Sequence, residues 1–253
     1  MTNQKNGLKS EEAINNDKNA ITELDFVEGK TTFDQDYTAT KGLHKQHIKI
    51  QYTPTLRAIF TLANYPNLDG LVFHFGFNPN TKCLSYLIGP GTKSGNQFTP
   101  SPIPNLFGSE PGYLEVSDSS LAIVPRRVSE FTALTKDYWC NILRSNKHIN
   151  TIPNHSRMVF HPRTELIDFD SEYNYISTPY LYFYHGAKND ENGAENIRPH
   201  SLMIRFGNDV GPVGIDNINY LQAPYNGTRY TKKAFNIGQL CPPGCNEADP
   251  ICT

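Results

Sequence analysis

Apolar and polar positions along this chain follow two periods, and the two-residue period dominates. From Gly70 to Gly89 two aromatic-rich runs, Leu71 to Phe77 and Lys82 to Ile88, flank Asn78-Pro79-Asn80, residues that suit a turn and oppose a helix. This predicts a β-hairpin. A second hairpin is predicted from Tyr180 to His185 with Ser201 to Phe206 as its partner; Tyr180, Tyr182 and Tyr184 share one face there, and Leu181, Phe183 and His185 the other. His47 to Tyr52 alternates in the same way. Shorter strands are expected within Tyr113 to Pro125, Arg157 to Phe160 and Leu166 to Phe169.

The helical period is weaker. Thr53-Pro54 opens the best helix signal, a hydroxyl cap followed by proline at the first helical position, with Leu56, Ile59, Phe60, Leu62 and Ala63 behind it and an end near Asn64. Ser10, followed by Glu11 and Glu12, predicts a helix over Glu11 to Ile21, and Ser129 predicts another to about Arg144 that buries Trp139. Phe26 to Lys45 is Thr-rich without a clear period and is expected to be irregular or an edge strand.

The hairpins also share a pattern. Leu71-x-Phe73-x-x-Gly76 returns as Leu181-x-Phe183-x-x-Gly186, and Leu84 and Gly89 keep the spacing of Leu202 and Gly207. With a helix candidate before each copy, the expected fold is α+β: small antiparallel sheets with packed helices, in two duplicated helix-hairpin units. The units would be residues 1–92, with a mobile arm at the start, and 113–221. Residues 93–112, dense in proline and glycine, are expected to be a loop or linker, and 222–253 a turn-rich tail.

Composition narrows the function classes. A net charge of -2, from 23 basic and 25 acidic residues, provides no field that would draw in nucleic acid. No apolar run approaches the roughly 20 residues needed to span a bilayer. The polar Met1 to Asp17 lacks the apolar core of a secretory signal, so cytoplasmic residence is expected. Cys83 and Cys140 lie among apolar residues, where a free thiol behaves as a small hydrophobe.

Three sets of residues are candidates for chemistry. His155, His161, Asp168 and Asp170, with His148 and Glu172 nearby, have the ligand types of a metal-dependent hydrolase, and Asp168, Asp170 and Glu172 would share a strand face. None of their spacings matches a recognised ligand pattern. Tyr180, Tyr182 and Tyr184 offer apolar area with polar tips, suited to sugars, to a protein partner or to a place beneath a helix. Cys241, Cys245 and Cys252 have the softness for zinc, the one cofactor the sequence suggests, yet a structural zinc site usually needs a second pair of ligands. His74 and His185 stand inside apolar strands and are expected to be hydrogen-bonded core residues.

The string Gly238-Gln239-Leu240-Cys241-Pro242-Pro243-Gly244-Cys245, taken with Leu56 to Leu62, Gly70 to Gly76 and Leu84 to Gly89, resembles a group of uncharacterised proteins of Bacteroidota bacteria. Those end in Gly-x-x-Cys-Pro-Pro-x-Cys; this chain is longer than their shorter members and adds Cys252. The resemblance implies a fold and no activity. The expected function is therefore a non-enzymatic binding or assembly module for a protein partner or for itself, with the metal-dependent hydrolase as the alternative.

Overall fold

A computed structural model describes residues 20–21, 23–38, 43, 47–95, 97–117, 123–143, 157–171, 179–187, 200–208, 229–235 and 239–241. The expected alternation is where most of the sheet forms. Strands β1 (Ala20–Ile21), β2 (His47–Gln51), β10 (Pro179–Ala187), β11 (His200–Asn208) and β12 (Arg229–Phe235) make one sheet, in the order β1-β12-β11-β10-β2. The second sheet contains β3 (Gly70–Asn78), β4 (Cys83–Ser94), β6 (Ile103–Phe107), β7 (Glu110–Ser117), β9 (Met158–Pro162) and β13 (Gln239–Cys241), in the order β13-β9-β3-β4-β7-β6. There β5 (Gln97–Pro100) pairs with β4 and β8 (Val124–Arg127) with β7. Every pairing among the described residues is antiparallel.

The sheets face each other through their odd and even positions. Leu181 and Phe183 of β10, with Leu202, Ile204 and Phe206 of β11, meet Leu71, Phe73 and Phe75 of β3 and Leu84, Tyr86 and Ile88 of β4 in one buried cluster. Phe73 and Phe183 have ring centroids 6.3 Å apart across the interface. Burying each such ring stabilises the fold by roughly 1.5–3 kcal/mol, so this interface is the principal source of cohesion. The hairpin turn of β3 and β4 is held by the Asn78 side-chain oxygen, which accepts from the amides of Asn80 (3.0 Å) and Thr81 (3.3 Å).

Among the described residues four short α-helices close the sandwich: α1 (Glu23–Phe33), α2 (Pro54–Phe60), α3 (Val128–Tyr138) and α4 (Arg163–Ser171). The Thr53 hydroxyl caps α2 by accepting from the Leu56 amide at 3.3 Å, and Pro54 opens the helix as expected. At α3 the cap residue is Arg127 rather than Ser129, and Glu130 reaches back to accept from the Arg127 amide at 2.9 Å. Helices α1 and α3 each run into a π-helical turn, Asp34–Thr38 and Trp139–Leu143.

This architecture corrects the α+β expectation. The described residues are mostly in strands, and they do not form a pair of duplicated helix-hairpin units. Register shows why: Gly76 faces Ser85 and Gly186 faces Ser201, so the first strands of the hairpins correspond, but Leu84 then matches His200 rather than Leu202. The second-strand likeness is displaced by two residues. The helix against the first hairpin, α3, also follows it in the chain, whereas α1, against the second, comes from far upstream.

Local expectations changed as well. The stretch 93–112 carries β5 and β6 where a loop or linker is expected. Residues from both expected units mix: β2 pairs with β10, and β9 with β3. Strands β12 and β13 lie in the expected turn-rich tail and join one sheet each. Ala20–Ile21 is a strand rather than a helix end, and residues 11–19 lie outside the described set. Helix α1 occupies the Thr-rich stretch expected to be irregular, and α4 occupies 166–169, where a strand is expected.

Candidate functional site

Parity along the two central hairpins decides which polar side chains enter the sandwich. On β10 the inward series Leu181, Phe183 continues to His185, and on β11 the series Phe206, Ile204, Leu202 ends at His200. Both imidazoles therefore lie between the sheets at one end. Phe33, the last residue of α1, and Tyr37, in the turn that follows, stack at 4.7 Å and cover them, with Phe33 5.2 Å from His185 and 4.8 Å from His200. Phe75 stacks on His200 from the other sheet at 4.0 Å.

Two tyrosines complete this arrangement. The Tyr138 hydroxyl, at the end of α3, lies 2.7 Å from His200 Nδ1; His200 Nε2 lies 3.1 Å from His185 Nδ1; and His185 Nδ1 lies 2.6 Å from the Tyr86 hydroxyl. All four side chains are buried. Burial, with the nearby His47, lowers the His185 pKa to about 3, and burial, with His185 beside it, holds His200 well below the usual range. Burial likewise raises the Tyr138 hydroxyl well above its ordinary value, with Tyr37 and Tyr86 adding to the effect. The group is neutral, and its chemistry is a choice of tautomer. With Tyr138 donating to His200 Nδ1, His200 donates from Nε2 to His185; with the proton on His200 Nδ1 instead, both bonds reverse. His185 Nε2 is buried without a hydrogen-bond partner.

At the opposite end of the sandwich α2 and α4 meet. Asp170 accepts from the Tyr52 hydroxyl at 2.8 Å and from Arg57 through Nε (2.9 and 3.1 Å) and Nη2 (2.8 Å). Phe60 and Phe169 pack beneath this cluster, Phe169 stacked on Phe206 at 4.4 Å. Here the polar atoms carry charge, and the Arg57 side chain remains 42% exposed.

The expected hydrolase residues are dispersed by these elements. Because 163–171 is helical, Asp168 and Asp170 diverge instead of sharing a strand face, one exposed and the other committed to Arg57 and Tyr52. His161 turns inward, edge-on to Phe73 at 5.3 Å, with Nδ1 3.5 Å from Glu165 in the first turn of α4. His155, like His148 and Glu172, lies outside the described residues. Among the described residues no group of three or more His, Cys, Asp or Glu could hold a metal ion.

Compared with family models, curated proteins and solved structures, the chain matches none of them. Its chemistry rests on its own geometry.

The tyrosine face has a definite location. Tyr182 and Tyr184 are buried with Phe26 of α1 and Met203 of β11, Phe26 meeting Tyr184 edge-on at 4.9 Å, while Tyr180 is half-buried beneath the Lys49 ammonium at 4.4 Å. Of the three expected partner-binding residues, only Tyr180 retains partial exposure. His74 is buried on the outer face of the other sheet, between Tyr113 (5.6 Å) and Phe131 of α3 (4.8 Å). Burial, with the nearby Arg157, lowers its pKa to about 3, and its Nε2 has no hydrogen-bond partner.

Among the tail cysteines, Cys241 ends β13 and pairs in register with Met158; Cys245 and Cys252 lie outside the described residues. Cys83 is free, but Cys140 is disulfide-bonded, which corrects the expectation of a free apolar thiol. His200, Tyr86 and Tyr138 were not legible as functional candidates. The available signal was parity: His200 occupies the inward position that extends Leu202, Ile204 and Phe206.

Proposed function

We propose that the chain is a non-enzymatic binding or assembly module that works with a protein partner or with further copies of itself. The observation that carries this reading is what becomes of the hydrolase candidates: Asp170 is satisfied by Tyr52 and Arg57, Asp168 points elsewhere, and His161 packs against Phe73. The central histidines likewise serve cohesion, tying β10 and β11 to the facing sheet and to α3. Strand β2, which ends its sheet among the described residues, supports a role in association, since an end strand is where an added chain extends a sheet. The reading needs no cofactor and no nucleic acid.

No helix among the described residues is long and apolar enough to cross a membrane. The disulfide at Cys140 favours an oxidising compartment over the cytoplasmic residence expected from the polar N-terminus, because cytosolic thiols are kept reduced. Light scattering combined with metal analysis tests the proposal. The expected result is a metal-free protein whose mass is a multiple of the chain. Stoichiometric zinc or manganese, with a hydrolytic activity lost in His161→Ala, overturns it.

A further inference from the structure

We propose that the segment 23–38, helix α1 with the turn that follows it, is a strap that opens in acid and admits water to the buried pair His185 and His200. Its course runs from the outside of the first sheet to the inside. Phe26 packs on the outer face with Tyr182, Tyr184 and Met203, whereas Phe33 and Tyr37 belong to the core between the sheets. The segment therefore bends over the end of β10, and Gly29 marks the close approach: a Cβ there would lie 3.3 Å from Met203 Sδ and 3.8 Å from the Ala187 carbonyl oxygen. Beyond that bend, the Phe33 and Tyr37 rings cover the imidazoles.

A proton added to His185 would find no counter-charge. Its Nδ1 meets the Tyr86 hydroxyl of β4 and His200 Nε2 of β11, and its Nε2 is buried without a hydrogen-bond partner. Tyr138 of α3 adds a neutral hydroxyl through His200, and His47 of β2 opposes a positive charge on His185. No carboxylate among the described residues is bonded to His185, Asp34 beside Phe33 included. A cation in this closed site is stable only once water reaches it. Of the surrounding walls, the strap costs least to displace. Phe75 and Tyr86 stand on β3 and β4, which are paired on both sides, and Tyr138 leads into a turn whose Trp139, Ile142 and Leu143 are core residues. Helix α1 has no ladder to hold it, and Gly29, Thr31 and Thr32 lower its helix propensity.

Amide hydrogen exchange of the wild-type protein from pH 7.5 to 4.5, corrected for the intrinsic exchange rate, tests the strap. An opened site returns His185 to its ordinary 6.5 from about 3, so the open state binds the extra proton. Its population should rise about tenfold per pH unit once the pH is well below 6.5. The expected result is that 23–38 lose protection by that factor while 70–78, 83–88 and 128–138 keep theirs. Protection of the strap that does not change with pH, or a loss shared equally by those strands and α3, overturns the proposal. His74→Leu removes the buried imidazole beneath α3 and should leave the response of 23–38 intact; its disappearance in that variant would assign the response to His74 and overturn the strap. In His185→Gln the response should weaken, because one titrating ring is gone, and an unaltered response overturns the role of His185. The wild-type and His74→Leu profiles decide the matter whether or not His185→Gln folds.

Discussion

The two ends of the sandwich solve the same problem with different chemistry. Each is an opening between sheets, closed by helical segments that carry aromatic side chains and a polar group into the gap. At the α2–α4 end the polar group is ionic, Asp170 with Arg57 and Tyr52, and the guanidinium stays in reach of water. At the other end it is the neutral Tyr138–His200–His185–Tyr86 set, sealed beneath Phe33, Tyr37 and Phe75. A charge is tolerated where water still solvates part of it, whereas a fully enclosed polar group is retained only if it is neutral and hydrogen-bonded. The difference predicts how each end fails.

The largest effect is expected at the sealed end. His200→Ala removes a stacked ring between Phe33 and Phe75, opens a cavity and takes the partner from the Tyr138 hydroxyl. Together these should cost about 3–5 kcal/mol, measured by denaturant unfolding. A loss under about 1 kcal/mol would mean that the network contributes little cohesion.

Acid separates the ends next. His185 and His74 have folded pKa values near 3 against an ordinary 6.5, so between those values the unfolded chain binds more protons than the folded one. Stability is therefore full above about pH 6.5 and falls as pH drops through that window. Each buried histidine contributes about 1.4 kcal/mol per pH unit once the pH is well below 6.5. Thermal melting from pH 7.5 to 4.5 should show this decline, and His74→Leu should flatten it without touching the central network. A melting temperature constant over that range contradicts the sealed, neutral state of these rings.

Asp170→Ala is the corresponding test at the ionic end. It leaves Arg57 and Tyr52 without the carboxylate, but the exposed guanidinium can turn to water. The expected loss is about 1–3 kcal/mol, below that of breaking a fully buried pair. If it equals or exceeds the loss from His200→Ala, exposure does not govern the contrast.

Sequence reasoning reached the hairpins and the α2 cap because their signals are local: alternation over seven residues, an Asn-Pro-Asn turn, a hydroxyl before proline. It missed α1 because Gly29, Thr31 and Thr32 lower helix propensity, although Phe26, Phe33 and Tyr37 recur at helical spacing and are buried. Residues 166–169 misled in the opposite direction, since over so short a span Ile167 and Phe169 fit strand alternation while Leu166 and Phe169 fit a helix. The assembly of two sheets from interleaved segments was not legible at all, because which strands pair is decided by long-range contacts such as β2 with β10. The same holds for the site. His185 could be placed on an inward face, but its meeting with His200, Tyr86 and Tyr138 depends on the packing of one sheet and one helix on another.

The sharpest comparison comes from the smallest change, the same hydroxyl removed at each end. Tyr52→Phe removes one bond to Asp170, whose carboxylate keeps its contacts with Arg57, so about 1 kcal/mol should be lost. Tyr138→Phe removes the bond to His200 Nδ1 in a site closed to water, where a lost partner is not replaced by solvent. Its cost should lie higher, at about 1–3 kcal/mol. Tyr86→Phe on the same network should resemble Tyr138→Phe rather than Tyr52→Phe, because its hydroxyl also serves a buried histidine. Equal losses for all three variants, measured by urea unfolding at pH 7.5, would show that enclosure does not set the cost of a missing hydrogen bond here. A graded loss, with Tyr52→Phe mildest, would assign the difference between the two ends to access of water.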